Sequence, residues 1–129
     1  MGWNAAACVI EKDFYGKGDD KIVAIRDVPE HPALADFGMA KAALKAAGSP
    51  SDVTFDLGLL CVRATGRALF DAVGQPMVHC GIRTAEEVQD MAKAADWSLT
   101  SEAYEDYEKA TAKAFLEVCA KHNLGIDLG

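Results

Sequence analysis

A continuous apolar run near the start of the chain constrains the fold more than any other feature. The run covers Ala5 to Ile10 and ends at the charged segment Glu11 to Asp13. A strand with one face in water alternates apolar and polar residues, whereas an unbroken apolar run is typical of a strand covered on both faces, as in parallel sheets. We therefore expect a buried strand here, and a second one at Pro76 to Cys80.

Helical patterns occupy most of the remaining chain. Ser49 and Pro50 mark the start of a helix that is apolar nearly all round, and Thr84 with Glu87 forms a capping-box pattern. Ile22 to Ile25 is either a short strand or part of the preceding loop. The predicted helical segments are Ala33 to Ala47, Val53 to Val62, Arg67 to Ala72, Thr84 to Ala95 and Ser101 to His122.

This order of elements predicts an α/β fold, with a short parallel-strand unit and flanking helices in a single domain, residues 1–129. Consecutive strands that are separated by helices are expected to run parallel. Two or three strands do not form a well-buried sheet by themselves. We therefore expect a homo-oligomer, or a complementary chain that covers the missing edges.

The charge of the chain limits its partners. The 129 residues carry a formal net charge of −7, and the sequence pI is about 4.8. Such a surface repels nucleic-acid phosphates and anionic lipid heads, so neither partner is expected. The N-terminus lacks a signal-peptide pattern and no apolar run is long enough to span a membrane, which indicates a cytoplasmic protein. The four cysteines form no metal or redox pattern and are expected to be small buried hydrophobes.

The segment after the second candidate strand is the strongest candidate site. Gly81 lets an anion approach the backbone, Arg83 can bind it through two N–H groups, and Thr84 starts a helix whose free N–H groups attract negative charge. The alternative is an ordinary capped helix start, with a solvated arginine and with Glu86 and Glu87 favoured by the helix dipole. Physical chemistry alone favours this second interpretation.

The residues around this corner resemble the C-terminal cofactor segment of the aldo/keto reductases. The similar stretch runs from Val78 to Val88 and continues from Ala94 to Glu102. That family is an NADP(H)-dependent (β/α)8 barrel, so the resemblance implies that the chain corresponds to the last third of such a barrel. The arginine and the helix N-terminus would hold the adenosine phosphate, and an acid would contact the adenine. The implied cofactor-binding residues are Gly81, Arg83, Thr84, Glu86 and Glu87.

A second segment, Cys8 to Gly18, is similar to the seventh strand of the family and its glycine loop. Lys12 matches the family pattern, so the resemblance implies that it also contacts the cofactor. Two positions depart from the pattern, because Asp13 replaces a usual proline and Met91 stands where many members have an asparagine. The change at Met91 weakens the adenine contact but leaves the phosphate corner intact.

The family's catalytic Asp, Tyr, Lys and His come from earlier strands and have no counterpart in this chain. Two functions therefore stay open. The first is an aldo/keto-reductase-like oxidoreductase segment that retains a nucleotide-phosphate corner, with NADP as the cofactor and little or no reductase activity of its own. The second is a non-catalytic structural or oligomerisation module, in which Arg83 is only solvated.

Overall fold

Four helices and a five-stranded antiparallel sheet form a mixed α/β fold in the part of the chain that is described. The computed structural model describes residues 3–11, 20–49, 54–100 and 106–129. The strands are β1 Ala5–Glu11, β2 Lys21–Ala24, β3 Leu59–Leu60, β4 Gly81–Arg83 and β5 Gly125–Leu128. The helices are α1 Pro32–Ala46, α2 Arg63–Ala72, α3 Ala85–Ala94 and α4 Asp106–Lys121, and short 3₁₀ turns lie at Ile25–Asp27, Phe55–Leu57 and Trp97–Leu99.

Strand β1 lies inside the sheet and pairs along both of its edges. Strand β5 pairs with one edge, β2 and β3 pair with successive parts of the other edge, and β4 lies beyond β5. Every pairing among the described strands is antiparallel. The prediction of an α/β fold with a strand at Ala5 to Ile10 is confirmed. The prediction of a short parallel-strand unit like the last third of a barrel is wrong.

The connection between β4 and β5 explains part of this difference. One helix between two neighbouring strands returns the chain to the starting end and makes them parallel. Here the chain passes through two helices, α3 and α4, and therefore re-enters the sheet in the opposite direction. The last predicted element is the helix that ends at His122, and the four-residue strand Gly125–Leu128 after it is too short to give a periodic signal.

Two segments also differ from the prediction. Val53 lies outside the described residues, and the rest of its predicted helix is a 3₁₀ turn followed by β3, which pairs with Ala5 and Ala6. Gly58 has φ of 73° in the left-handed region, which ends the turn. The predicted strand at Pro76 to Cys80 has no regular secondary structure, and its Val78 carbonyl accepts a hydrogen bond from a side chain instead.

The predicted helices at the other positions are confirmed within the described residues. α1, α3 and the described part of the last helix follow the expected bounds closely, and α2 begins earlier than expected, at Arg63. Residues 101–105 of the predicted last helix lie outside the described part of the chain. These segments carried clear local signals, such as the Thr84 cap before α3.

The hydrophobic core lies on one face of the sheet. The register of β1 with β5 places Ala5 and Ala7 on the same face as Leu128 and Ile126, and all four side chains are buried. Helices α1, α2 and α3 all pack against α4 on this side. Buried side chains from all four helices join these strand residues in one cluster. Helix α4 is therefore the element that joins the other helices to one another.

Three phenylalanines fix the packing of α1 and α4. The ring centroid of Phe37 in α1 lies 5.3 Å from Phe55 and 5.7 Å from Phe115 in α4. The Phe37 and Phe55 rings meet edge to face, at 89°, an arrangement that aromatic pairs favour. All three side chains are buried. The 3₁₀ turn before β3 is thereby held between the two helices.

A tryptophan joins the beginning of the chain to α2. The Trp3 Nε1 donates a hydrogen bond to the Val78 carbonyl at 3.0 Å. The ring of Trp3 lies directly against Gly66 in α2, where a Cβ atom would stand 2.8 Å from two of the ring carbons. Because Trp3 is fully buried, its ring cannot move aside into solvent. Gly66 is therefore required by this packing.

The substitution Gly66→Ala should lower the free energy of unfolding by about 1–3 kcal/mol, because the added Cβ clashes with the Trp3 ring and forces the ring or the helix to shift. Gly38→Ala is a matched control, since Gly38 also lies inside a helix and a Cβ there meets nothing within 4 Å. The control should gain up to about 1 kcal/mol from the higher helix propensity of alanine. Urea denaturation of the two variants measures both values, and equal effects would contradict the assigned packing.

Candidate functional site

At the predicted anion-binding corner, side chains of the same turn already use two of the backbone N–H donors. Thr84 is the N-cap of α3, and its Oγ1 accepts a hydrogen bond from the Glu87 backbone N–H at 3.2 Å. The Glu87 Oε1 accepts in return from the Thr84 backbone N–H at 3.1 Å. The predicted capping box is confirmed. Two backbone donors of the helix start, and the carboxylate of Glu87, are therefore already engaged within the chain.

Gly81 and Arg83 lie in strand β4 rather than in a loop after a strand. Gly81 has φ of 115°, so the backbone itself calls for glycine at this position. The guanidinium carbon of Arg83 lies 5.9 Å from the centre of the buried Phe70 ring, within the range of a cation–π contact. The arginine thus packs on α2. Its side chain is half-buried and is not free to follow a ligand without losing this contact.

A shallow cleft opens beside the start of α3. Its volume is about 410 Å³. The first turn of α3 and the end of β1 contribute to the same cleft, together with Asn123 and Gly125. Lys12 itself lies outside the described residues. The lining residues are Val9, Ile10, Ala85, Glu86, Asn123 and Gly125.

This cleft has both a positive helix end, which attracts an anion, and a carboxylate, which repels one. The backbone N–H groups of Ala85 and Glu86 have no hydrogen-bond acceptor among the described residues, and they lie at the positive end of the helix dipole. The carboxylate of Glu86, however, belongs to the same turn and the same cleft. It repels a phosphate that approaches these donors.

The other face of the sheet is apolar and is not covered by the described helices. We call it the open face. The register of the antiparallel pairs places its members on the side opposite to Ala5 and Ala7, and none of them belongs to the core cluster. The open face consists of Ala6, Cys8 and Ile10 of β1, Ile22 and Ala24 of β2, Leu59 of β3, Ile82 of β4 and Asp127 of β5.

The open face was not predicted, because it depends on strand pairing across the chain. Its members come from five separate short segments, and only β1 carried a strong local signal. The one available hint was the unbroken apolar run of β1, which we interpreted as the sign of a parallel sheet. With Cys8 excepted, the open-face side chains are partly accessible to solvent.

Two charged side chains border a concavity on the open face. Arg26 follows β2 and Asp127 lies in β5, and both line a hollow of about 210 Å³ together with Ala6, Ala24 and Leu59. Neither charge forms an ion pair with any described residue.

Two of the four cysteines are buried and two are exposed. Burial raises the pKa of the Cys8 thiol to about 11, and the nearby Asp127 carboxylate adds to the rise. Burial also raises the pKa of Cys119. Both thiols are therefore protonated and weakly nucleophilic near neutral pH. The expectation of buried cysteines is wrong for Cys61 and Cys80, which are exposed.

A cluster of charged and titratable side chains joins α1 to the end of α4. The Asp36 Oδ2 lies 2.8 Å from Lys121 Nζ and 2.6 Å from His122 Nε2. These hydrogen bonds lower the pKa of Asp36. The His31 ring lies edge-on to His122, and its Nδ1 accepts a hydrogen bond from the Ala33 N–H at 3.1 Å, which caps α1. The cluster is fully accounted for by helix capping and ion pairing.

The described residues contain no group of three or more His, Cys, Asp or Glu side chains that could hold a metal ion. None of the described helices is both long enough and apolar enough to cross a membrane. Comparisons of the chain with protein-family models, with curated proteins and with solved structures find no match. Membership of the aldo/keto reductases therefore stays a prediction from the resemblance.

Replacing His31 with asparagine should reduce the loss of stability on acidification. Burial first, and then the neighbouring His122, lower the pKa of His31 below that of an unfolded histidine, about 6.5. The neutral ring thus contributes stability that is present above about pH 6.5 and is lost as the pH falls through the lower folded value. Asparagine keeps an acceptor for the Ala33 N–H but does not titrate.

Urea denaturation between about pH 7.5 and about pH 5 measures this effect, since that interval spans the histidine range. The His31→Asn variant should lose less stability than the wild type over the interval. His79→Asn is the matched control, because it makes the same substitution at an exposed position. Equal losses for the wild type and the His31→Asn variant would show that this ring does not set the pH dependence.

Proposed function

We propose that the protein is a non-catalytic module that associates with a second copy of itself through the open face. The observation that carries the proposal is the apolar character of both faces of β1. Antiparallel sheets commonly have one face on the core and a polar face in water. Here Ala6, Cys8 and Ile10 alternate with Ala5 and Ala7, so the strand has apolar side chains on both sides. The described helices cover only one of these two sides.

The energetics favour covering this face. Each Å² of apolar surface removed from water stabilises the buried state by roughly 25 cal/mol. Contiguous apolar patches on a protein surface commonly mark interaction sites. A second copy offers the same apolar surface, and two sheets can pack face to face with interdigitated side chains. The large open-face side chains that such packing would bury are Ile10, Ile22, Leu59 and Ile82.

The polar groups of the chain support a non-catalytic role. The histidine and carboxylate groups that join α1 to the end of α4 are already engaged, because His31 caps α1 and Asp36 is paired with Lys121 and His122. The buried thiols are protonated near neutral pH. One described pocket is lined by both Ser49 and Asp106, but no hydrogen bond joins these two described residues, as activation of a nucleophile by a base requires. These contacts therefore favour a role in packing and association over a role in catalysis.

The substitution Leu59→Asp should convert a self-associated protein into a monomer. It removes a large apolar contact and places a carboxylate in the interface of each copy, so the dissociation constant should rise by at least about a hundredfold. Leu99→Asp is the matched control, since Leu99 is 59% exposed and lies outside the open face. Size-exclusion chromatography with light scattering measures the mass, and circular dichroism verifies folding. A wild type that is monomeric up to near-millimolar concentration would overturn the proposal.

The nucleotide-phosphate corner is the second candidate function. The observation in its favour is the cleft between the end of β1 and the start of α3. The N–H groups of Ala85 and Glu86 beside it have no acceptor among the described residues. A nucleotide phosphate could receive these two hydrogen bonds. The contact of Arg83 with Phe70 and the carboxylate of Glu86 both weigh against it. The resemblance to the aldo/keto reductases makes NADP the ligand to test.

Thermal melting in the presence of NADP⁺, NAD⁺ and 2′,5′-ADP separates the two functions. A ligand that binds only the folded state, at about 100 times its dissociation constant, adds about 2.7 kcal/mol of stability. We expect no shift of the melting temperature with any of the three. A shift that Arg83→Ala abolishes, and that Glu86→Gln increases by removing the repulsion, would establish the nucleotide corner instead.

A further inference from the structure

We infer that the second copy docks in a two-fold arrangement in which Arg26 of each copy pairs with the partner's Asp127. This inference rests on the proposed self-association through the open face and specifies its geometry. A two-fold interface uses the same patch on both copies, so any contact between two different residues is made twice. Arg26 and Asp127 lie on the same patch and have opposite charge. They therefore satisfy the condition for a reciprocal pair.

The location of Asp127 favours a partner cation. Its side chain lies on the open face beside Cys8, and it pairs in register with Ala6 and Ile82 of the neighbouring strands. Covering this face with apolar side chains would bury the carboxylate without a counter-charge, which is strongly unfavourable. The described residues of its own chain form no ion pair with it. A cation from the opposing surface removes this cost.

Arg26 is a cation that lies on the same surface as Asp127. It is exposed, it lines the same hollow as Asp127, and it forms no ion pair with a described residue. A guanidinium binds a carboxylate through two parallel N–H groups, which suits a hollow with a carboxylate at its edge. The surrounding Ala6, Ala24 and Leu59 are apolar and would exclude water from the pair.

The overall charge of the chain makes like-charge contacts in an interface costly. With a net charge of −7, two copies already repel each other, and an interface that placed like charges together would add to this repulsion. Arg26 and Asp127 contribute one charge of each sign to the hollow. Two copies that meet there in a two-fold arrangement place opposite charges together, whereas Asp127 facing the partner's Asp127 would add repulsion.

Charge reversal tests the pairing directly. The variants Asp127→Arg and Arg26→Asp each place like charges opposite one another twice in a homodimer. Each should weaken the dimer by at least about a hundredfold, since close interfacial charge pairs have coupling energies of several kcal/mol. An equimolar mixture of the two variants restores an opposite-charge pair at both positions. The mixture should therefore form a heterodimer even though neither variant forms a homodimer.

Analytical ultracentrifugation of each variant and of the mixture gives the result, with circular dichroism to verify that both remain folded. Arg67→Asp and Asp90→Arg are the matched controls, because they make the same charge changes at exposed positions of α2 and α3. A wild-type dimer that neither reversal weakens overturns the pairing and leaves the proposed self-association standing. Two monomeric variants whose mixture stays monomeric also overturn it. A wild type that is monomeric throughout overturns both proposals.

Discussion

The central strand β1 positions the rest of the molecule, because it is paired along both edges and apolar on both faces. Its helix-facing residues are the small side chains Ala5 and Ala7. Gly58 approaches this strand closely: its carbonyl accepts a hydrogen bond from the Ala7 N–H at 2.8 Å, and a Cβ there would stand 2.7 Å from Ile25. The turn that contains Phe55 is thereby held against the sheet, where it meets α1 and α4.

The same strand also provides the centre of the open face. In a parallel sheet the second face of such a strand would be covered by helices of the same chain. Here the chain between β4 and β5 passes through α3 and α4, and the four helices gather about α4 on one side. The open face has the apolar composition of an interior surface, but the described helices do not cover it. The proposed self-association would supply that cover.

Local signals predicted the parts of the fold that depend on neighbouring residues. The strand at Ala5 to Ile10, the helix after His31 and the capping box of Thr84 and Glu87 are all encoded within a few positions. The short strands β3, β4 and β5 have two to four residues each, too few to show a period. Their pairing direction is decided by packing between distant segments, so the antiparallel sheet and its open face could not be found in the sequence.

The candidate corner shows how a correct local prediction can leave function undecided. A capping box and an anion site compete for the same backbone N–H groups at a helix start. Thr84 and Glu87 already use two donors, and Glu86 supplies a negative charge beside those that remain. Asp127, in contrast, lies on an apolar surface and forms no ion pair with any described residue. The charge that a partner would pair with is therefore the Asp127 carboxylate on the open face, rather than a group at the corner.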